Sequence, residues 1–358
     1  MADHQNREIA SGRGLLPAKR SYNPTVDEAM SEAIKASRGN LKTRADYAYT
    51  ARSFGQWLNE NRPGASLWSE ITTKSVRDFL GHCRTTCRSN DIIRKRLFVV
   101  KMTSRYMAET YGEYGYNDVA RPVRFIREED DPEEARRKEQ AKILPLEMLF
   151  TLLDYLHERR PDLHAIACLQ GLAGMRAMEA AHVREQDIDF EAGTVTVTAT
   201  PHHKPKNRAS FRTIPVASMP LNALRAAVSG LKVRHPLGYL FATARRDAPW
   251  TTSDYSHAMR REVDRCRQYA AARVGLTPAA LDSLIGFQAH WLRATFVTHA
   301  REKKVDYRVL QRYIGHTATD VMGQFYEIVG SERFGNEVVS VIEQMCEHCR
   351  EHVETQAL

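Results

Sequence analysis

The sequence predicts a mainly α-helical protein of two domains with one small antiparallel β-sheet. Its 358 residues exceed the usual length of one compact domain, and a hydrophobic fraction of 42% is enough for real cores. Apolar residues recur at helical spacing over most of the chain. The exception is TVTVTAT at residues 194–200, which alternates with period two and is followed by a return strand at 211–216.

Two segments without apolar periodicity divide the chain. Residues 1–24 are polar and basic, and we expect a flexible arm there. Residues 117–142 are densely charged, which predicts a linker. Residues 25–116 are therefore expected to form a helical domain. Residues 143–358 are expected to form a second domain, which ends in an amphipathic helix over 335–354.

The first domain is predicted to be a small bundle of four helices. We expect Asp27 to cap the first helix, and the second to begin after Leu41. The third follows Thr72, and the fourth begins near Asn90. Each helix places an apolar stripe on one side, so a shared core follows.

The fourth helix carries cations on the face opposite its apolar stripe. These residues are Arg94, Lys95, Arg96, Lys101 and Arg105. A solvated helix surface explains such a face as well as a contact with a nucleic-acid backbone does. Backbone contacts of this kind supply affinity and register more than sequence choice.

The overall charge and hydropathy exclude some classes of protein. Lys and Arg number 52 against 44 Asp and Glu, which gives a net charge of +8 and suits a polyanionic partner without proving one. No apolar run approaches the roughly 18 residues that span a bilayer. The N-terminus lacks the hydrophobic core of a signal peptide, so we expect a cytoplasmic protein.

The cysteines indicate neither a disulfide framework nor a zinc site. Six in a chain of this length are too sparse for disulfide scaffolding. Cys346 and Cys349, near His348 and His352, are one half of a zinc motif, but a second CxxC is lacking. We expect no metal and no cofactor.

An ordered series of basic residues ends in one tyrosine. The series is Arg176, Lys206, His290, Arg293, His316 and Tyr326. Phosphodiester transfer needs such cations, because the phosphate is anionic and its transition state carries more charge. A guanidinium presents two parallel donors that match phosphate oxygens, and a tyrosine can hold a cut DNA end covalently.

Four strings within residues 143–330 resemble motifs of the tyrosine recombinase (phage integrase) family. They are LQGLAGMRAME at 169–179, KNRASFRTIP at 206–215, HWLRATFVTH at 290–299, and VDYRVLQRYIGH at 305–316 followed by Tyr326. Any one of them alone is weak, but their order and spacing together make the match specific. Residues 25–115 resemble the family only as a helical domain of suitable length.

The resemblance implies a fold and a set of roles. An N-terminal helical core-binding (SAM-like) domain would precede a C-terminal catalytic domain. Tyr326 would attack the scissile phosphorus and form a 3′-phosphotyrosyl bond. Arg176 and Arg293 would hold the non-bridging oxygens, and His290 and His316 would move protons or bind the phosphate.

The resemblance also implies a lysine on the hairpin as general acid. Lys206 fits the family hairpin, and Lys204 is the alternative. Lys204 and Arg208, also on this connection, are expected to contact DNA, as are Arg94, Lys95, Lys101 and Arg105 of the fourth helix. Glu179 lies one helical turn from Arg176 and would orient it.

Two features depart from the family pattern. Ala294 stands where the family often has a second histidine. The interval from His316 to Tyr326 is ten residues, one more than is common, and one residue rotates a helix by about 100°. Tyr307 and Tyr313 are the neighbouring tyrosines, and Tyr313 fits an apolar helix face.

The function implied is a site-specific DNA recombinase, an integrase or transposase of a bacterial mobile element. A Xer-like dimer resolvase and a type IB topoisomerase-like relaxing enzyme are the alternatives. The partner would be double-stranded DNA in the bacterial nucleoid, bound by a homotetramer, with accessory DNA-bending factors as further partners. No metal or ATP would be needed. The C-terminal helix could pack on its own domain, but the resemblance favours docking on a neighbouring protomer.

Overall fold

The computed structural model describes residues 22–87, 89–126, 133, 136, 140, 142–231, 234–243, 248–271, 276–316 and 333–347. The chain divides into two compact units, Met1–Asp130 and Asp131–Leu358, each with its own hydrophobic core. The predicted fold class, mainly helical with a small antiparallel sheet, is confirmed. Among the helices described, none is both long and apolar enough to cross a bilayer.

The first unit is built on four helices that pack through their apolar stripes. They are α1 (Val26–Ala36), α2 (Leu41–Asn61), α3 (Thr73–Thr86) and α4 (Asn90–Tyr111). Aromatic rings fill the centre of the bundle. Phe54 lies 4.9 Å from Phe79, and Trp57 lies 5.5 Å from the same ring, measured between centroids. Burial of these large rings supplies much of the bundle's stability.

The cap of α1 differs from the prediction. Thr25, not Asp27, is the cap: its hydroxyl accepts from the Glu28 amide at 3.2 Å, and the Glu28 carboxylate accepts from the Thr25 amide at 2.8 Å. This reciprocal capping box satisfies two backbone donors where one Asp side chain would satisfy fewer. Asp27 instead lies in the first turn, where its charge suits the helix dipole.

The second unit surrounds a buried central helix. Its helices are α5 (Leu146–Arg159), α6 (Pro161–Gly171), α7 (Ala177–Ala181), α8 (Ser218–Ser229), α9 (Thr252–Ala271), α10 (Pro278–Asp282), α11 (His290–Glu302) and α12 (Tyr307–Ile314). Every residue of α6 from Leu163 onward is buried, and α6 packs against α5, α8 and α11. A helix that is apolar on all sides belongs in a core.

A three-stranded antiparallel sheet lies beside these helices. Its strands are β1 (Ile188–Asp189), β2 (Thr194–Val197) and β3 (Arg212–Pro215), in the order β1-β2-β3. Val195 pairs with Ile214, and Val197 pairs with Arg212. A second hairpin, β4 (Ala242–Thr243) with β5 (Ala248–Pro249), was not predicted. Strands of two residues are too short to show a period.

The C-terminal helical residues 333–347 include a π-helical stretch, Phe334–Val339. Their apolar side chains Val338, Ile342, Met345 and Cys346 are buried, and all but Met345 belong to the core of the second unit. The Glu343 carboxylate also accepts from the Ser218 hydroxyl at 2.7 Å. This part therefore packs on its own unit, and docking on a neighbouring protomer stays a prediction. The rest of the predicted helix, with His348, Cys349 and His352, lies outside the described residues.

Candidate phosphodiester-transfer site

Three arginines of the second unit converge on the C-terminal end of α12. They come from three separate elements: the residue before α7, the start of β3 and the second turn of α11. Each donates to one of three consecutive backbone carbonyls. Arg212 Nε donates to Tyr313 O at 2.7 Å, Arg293 Nη2 to Ile314 O at 2.9 Å and Arg176 Nη2 to Gly315 O at 3.0 Å. The last carbonyls of a helix lack partners within it and carry partial negative charge, so they attract cations.

Glycines allow this close approach. Gly315 ends α12 in the left-handed region, with φ +71°, and a Cβ there would lie 2.7 Å from Arg212 Nη1. Gly174, with φ +60°, accepts a hydrogen bond from Arg293 Nη1. A Cβ at Gly174 would lie 2.5 Å from the ring of Phe296. Only glycine combines a positive φ with the absence of a Cβ, and both are needed at these two positions.

Glu179 is the carboxylate at the centre of the cluster, and it is 4% exposed. It accepts from Arg176 Nη1 at 2.7 Å, from the Arg176 amide at 3.1 Å and from Arg212 Nη2 at 3.1 Å. Burial raises the pKa of Glu179, but the Arg212 charge and the Arg176 hydrogen bonds outweigh it, so the pKa lies below its usual value. The contact between Glu179 and Arg176 is the one that the sequence predicted.

The cluster holds more positive charge than one carboxylate balances. Burial, and then the charge of Arg176, lower the pKa of Arg293 to about 9. Burial also lowers the pKa of Arg212, whose side chain is only 7% exposed. The Arg176 side chain is 26% exposed and can reach a bound anion. An anion such as phosphate would relieve the repulsion among these cations.

His316 directly follows Gly315 at this end of α12. Its amide donates to Gln311 O at 2.9 Å, which fixes the backbone. Partial burial lowers the pKa of His316, and the nearby Arg293 and Arg176 charges lower it further. His290 is the first residue of α11, one turn before Arg293. Desolvation, and then the charge of Lys142, lower the pKa of His290. Both shifts favour the neutral form of the ring.

The predicted lysine connection lies between β2 and β3. Lys204, Lys206 and Arg208 are all exposed there. Lys206 adjoins the 3₁₀ turn Arg208–Ser210 through Asn207, and Ser210 in that turn contacts Arg176. Of the two candidate lysines, Lys206 therefore lies nearer in the chain to the arginine cluster.

The predicted nucleophile, Tyr326, lies outside the described residues. Its two neighbours are accounted for within the fold. Tyr313 is fully buried, its hydroxyl donates to Pro215 O at 2.8 Å, and burial raises its pKa. Tyr307 is 54% exposed and accepts from Gln311 Nε2. The predicted apolar packing of Tyr313 is observed.

Two functional candidates were missed by the sequence reasoning: Arg212 and Ser210. Arg212 lies on the same side of β3 as Ile214, which is buried. A cation at an inward position of a strand is unusual, because burying it needs a paired anion. The two-residue spacing from the apolar Ile214, which puts Arg212 on the inward side of the strand, was therefore the available signal in the sequence. The sequence carried no comparable signal for Ser210.

The cations of α4 in the first unit divide into two groups. Arg94, Lys95 and Arg105 are exposed, and Arg94 lies 3.4 Å from Asp91. Lys101 is half-buried, and its Nζ donates to Val123 O at 2.8 Å. Lys101 thus has a partner within its own unit, as does the half-buried Arg96, which hydrogen-bonds Cys83, while the other three extend from the helix surface.

No group of three or more His, Cys, Asp and Glu side chains within the described ranges is arranged to hold a metal ion. His299, in the same helix as Arg293, hydrogen-bonds Leu144 O at 2.9 Å and the Glu302 carboxylate at 2.8 Å. It therefore holds α11 against the start of the unit.

Comparison with known proteins matches residues 144–330 to the phage integrase family, a span of more than half the chain. Tyrosine recombinase XerA of Thermococcus onnurineus (strain NA1) is 25% identical over 293 residues, which cover 81% of this chain and 88% of that protein. A Tn1549 transposon integrase in complex with transposon right end DNA has a TM-score of 0.58 at 17% identity, covering 88% and 100% of the two chains.

A lambda integrase dimer bound to a COC′ core site has a TM-score of 0.60 at 17% identity, covering 92% of this chain and 87% of that one. Identities this low establish the shared fold alone. The family match covers the arginine cluster and Tyr326 in one continuous span. The chain therefore belongs to the tyrosine recombinase (phage integrase) family.

Proposed function

We propose that this protein is a site-specific DNA recombinase that cuts and rejoins DNA through a 3′-phosphotyrosyl intermediate at Tyr326. The observation that carries the proposal is the convergence of Arg176, Arg212 and Arg293 on the end of α12, directly before His316. The solved integrases of similar fold are described as complexes with DNA, which supports double-stranded DNA as the partner.

In the proposed reaction, Arg176 and Arg293 bind the non-bridging oxygens of the scissile phosphate. Both are held by backbone carbonyls, so little reorganisation is needed when charge develops in the transition state. Arg212 is too buried to share this role and supports Glu179 instead. The preorganised charge is the main catalytic contribution of the cluster.

The covalent step exchanges one phosphodiester for another. The Tyr326 oxygen forms a bond to phosphorus, and the bond from phosphorus to the 5′-oxygen breaks. His290 takes the phenol proton, His316 donates a hydrogen bond to a phosphate oxygen, and Lys206 gives a proton to the departing 5′-oxygen. The reverse sequence, with a 5′-hydroxyl of another strand, rejoins DNA. The phosphotyrosyl bond conserves the bond energy, so the proposed cycle needs neither ATP nor a metal.

We place the enzyme among integrases or transposases of bacterial mobile elements, acting as a tetramer on DNA, with Arg94, Lys95, Arg105, Lys204 and Arg208 on the DNA backbone. A lambda integrase of the same fold is described as a tetramer bound to a Holliday junction. A Xer-type dimer resolvase is the second candidate, favoured by the similarity to tyrosine recombinase XerA.

Covalent trapping tests the proposal. The protein is incubated with lightly nicked, sheared genomic DNA of its source organism, because a nick near the scissile phosphate lets the short fragment leave and strands the adduct. Adducts that resist SDS are then isolated, and their DNA is sequenced. The wild type should form adducts at a recurring sequence. The control variant Tyr307→Phe, which changes an exposed tyrosine, should do the same. Tyr326→Phe should form none.

Adducts with Tyr326→Phe, or no adducts with the wild type, would contradict the assignment. Strand exchange between two duplexes that carry the recovered sequence separates a recombinase from an enzyme that only relaxes DNA. Exchange that joins the two duplexes supports recombination, whereas relaxation without exchange supports the topoisomerase-like alternative.

A further inference from the structure

The hydroxyl of Ser210 links the connection that carries Lys206 to the arginine cluster. Ser210 is fully buried. Its Oγ accepts a hydrogen bond from Arg176 Nη1 at 3.0 Å and donates one to Asn207 Oδ1 at 2.7 Å. One side chain therefore satisfies the guanidinium on one side and a residue adjacent to Lys206 on the other.

The remaining polar groups of Ser210 are also engaged. Its amide donates to Asn207 Oδ1 at 3.0 Å, which caps the 3₁₀ turn Arg208–Ser210. Its carbonyl accepts from Arg212 Nη1 at 2.8 Å. The backbone after Lys206 is thus also fixed by Arg212, which shares the Glu179 carboxylate with Arg176. A buried network in which every member is satisfied is rigid, and it loosens when one member is removed.

We propose that Ser210 is a positioning residue that couples Lys206 to Arg176, so that the lysine is held at the leaving oxygen while Arg176 holds the phosphate. This inference rests on the proposed function and deepens it. Without the hydroxyl, one Arg176 N–H loses its partner and Asn207 loses one of its two bonds to Ser210. The turn that follows Lys206 then gains freedom, and proton delivery by Lys206 weakens.

A leaving-group substitution separates this role from a merely structural one. Synthetic duplexes carry the sequence recovered by trapping, with either the ordinary scissile phosphate or a 5′-bridging phosphorothiolate. A sulfur leaving group departs without a general acid, so cleavage of the second duplex bypasses Lys206. The variants are Ser210→Ala, Asn207→Ala and the double variant. The control is Thr213→Ala, which removes a β3 hydroxyl whose hydrogen-bond partner in the described part of the chain is Thr196, at 2.9 Å.

We expect Ser210→Ala to slow cleavage of the ordinary duplex roughly 10- to 100-fold, the usual effect of losing a buried hydrogen bond to a charged group. Cleavage of the phosphorothiolate duplex should fall at least about 10-fold less than this. Asn207→Ala should show the same discrimination, and the double variant should be less impaired than the product of the single effects, because both changes break one connection.

Equal losses on the two duplexes would show that Ser210 serves Arg176 alone and would overturn the coupling. Rates equal to those of Thr213→Ala on both duplexes would overturn it as well. If circular dichroism shows that Ser210→Ala does not fold, the comparison is decided by Asn207→Ala, whose side chain is only half-buried. Adducts of the wild type at Tyr326 test the proposed function separately, so the two failures remain distinguishable.

Discussion

Glu179 and Arg212 form an ion pair that is withdrawn from solvent. Glu179 Oε2 lies 3.1 Å from Arg212 Nη2, and the two side chains are 1% and 7% exposed. The same carboxylate also holds Arg176 at 2.7 Å. A buried carboxylate between two guanidiniums is stable only while its partners remain, because an unpaired charge in the interior is costly.

Loss of Arg212 should therefore destabilise the second unit. We expect Arg212→Gln to lower the free energy of unfolding by about 3–5 kcal/mol, measured by urea unfolding of the full chain at pH 7. The control is Arg267→Gln, which breaks an exposed pair with Asp282 and should cost less than about 1 kcal/mol. Equal losses of unfolding free energy in the two variants would show that the buried pair stabilises the protein no more than the exposed pair does.

The glycine at the end of α12 should tolerate no side chain. Gly315→Ala combines a positive φ with a Cβ placed 2.7 Å from Arg212 Nη1 and 3.0 Å from Ala209 O. Gly286→Ala is a matched control, since Gly286 has φ +70° and nothing within 4 Å of the added Cβ. The control should cost about 1 kcal/mol of unfolding free energy from backbone strain. Gly315→Ala should cost more and also abolish adduct formation, and activity equal to that of Gly286→Ala would refute the packing argument.

The free energy of unfolding should decrease as the pH is lowered, and His164 should contribute to this decrease. Burial, and then the charge of His157, lower the pKa of His164 from 6.5 to about 4. As pH falls from 6.5 towards 4, the unfolded chain binds a proton that the folded chain does not, so folding loses stability across that window. The loss from this residue is on the order of 2–3 kcal/mol. In urea unfolding at pH 6.5 and pH 4.5, His164→Gln should show a smaller change than the wild type. An unchanged pH dependence would exclude His164 as a source of it.

Replacing one of the arginines proposed to bind the phosphate should remove most of the activity without loss of the fold. Arg293→Lys retains a charge but has one donor group where the guanidinium contacts both Gly174 O and Ile314 O. We expect adduct formation to slow by at least about 100-fold. Arg301→Lys, an exposed position of the same helix, should retain the wild-type rate. A similar rate in both variants would show that Arg293 does not contribute to the reaction.

The sequence predicted the elements whose signals are local. The four helices of the first unit begin where polar caps precede apolar stripes, and β2 shows its period in alternating Thr and Val. The Thr25–Glu28 capping box is equally local, and Thr25 rather than Asp27 caps α1. Strands β4 and β5, of two residues each, had too few positions to show a pattern.

The site was predicted only as far as its residue types reveal it. Arg176, Glu179 and Arg293 were singled out, and the structure places them together around the end of α12. Arg212 and Ser210 were missed because their importance depends on tertiary position. The packing of 333–347 into its own unit was one of two alternatives, because an amphipathic pattern shows that a face is covered but not by which partner.

Mass spectrometry of the trapped adduct tests the central claim most directly. After nuclease digestion, trypsin should release the peptide of residues 313–333, which contains both Tyr313 and Tyr326. The remaining nucleotide should be attached to Tyr326, because the Tyr313 hydroxyl is buried against Pro215 O. Attachment at Tyr313, Tyr307 or any other residue would contradict the assignment of Tyr326 as the nucleophile.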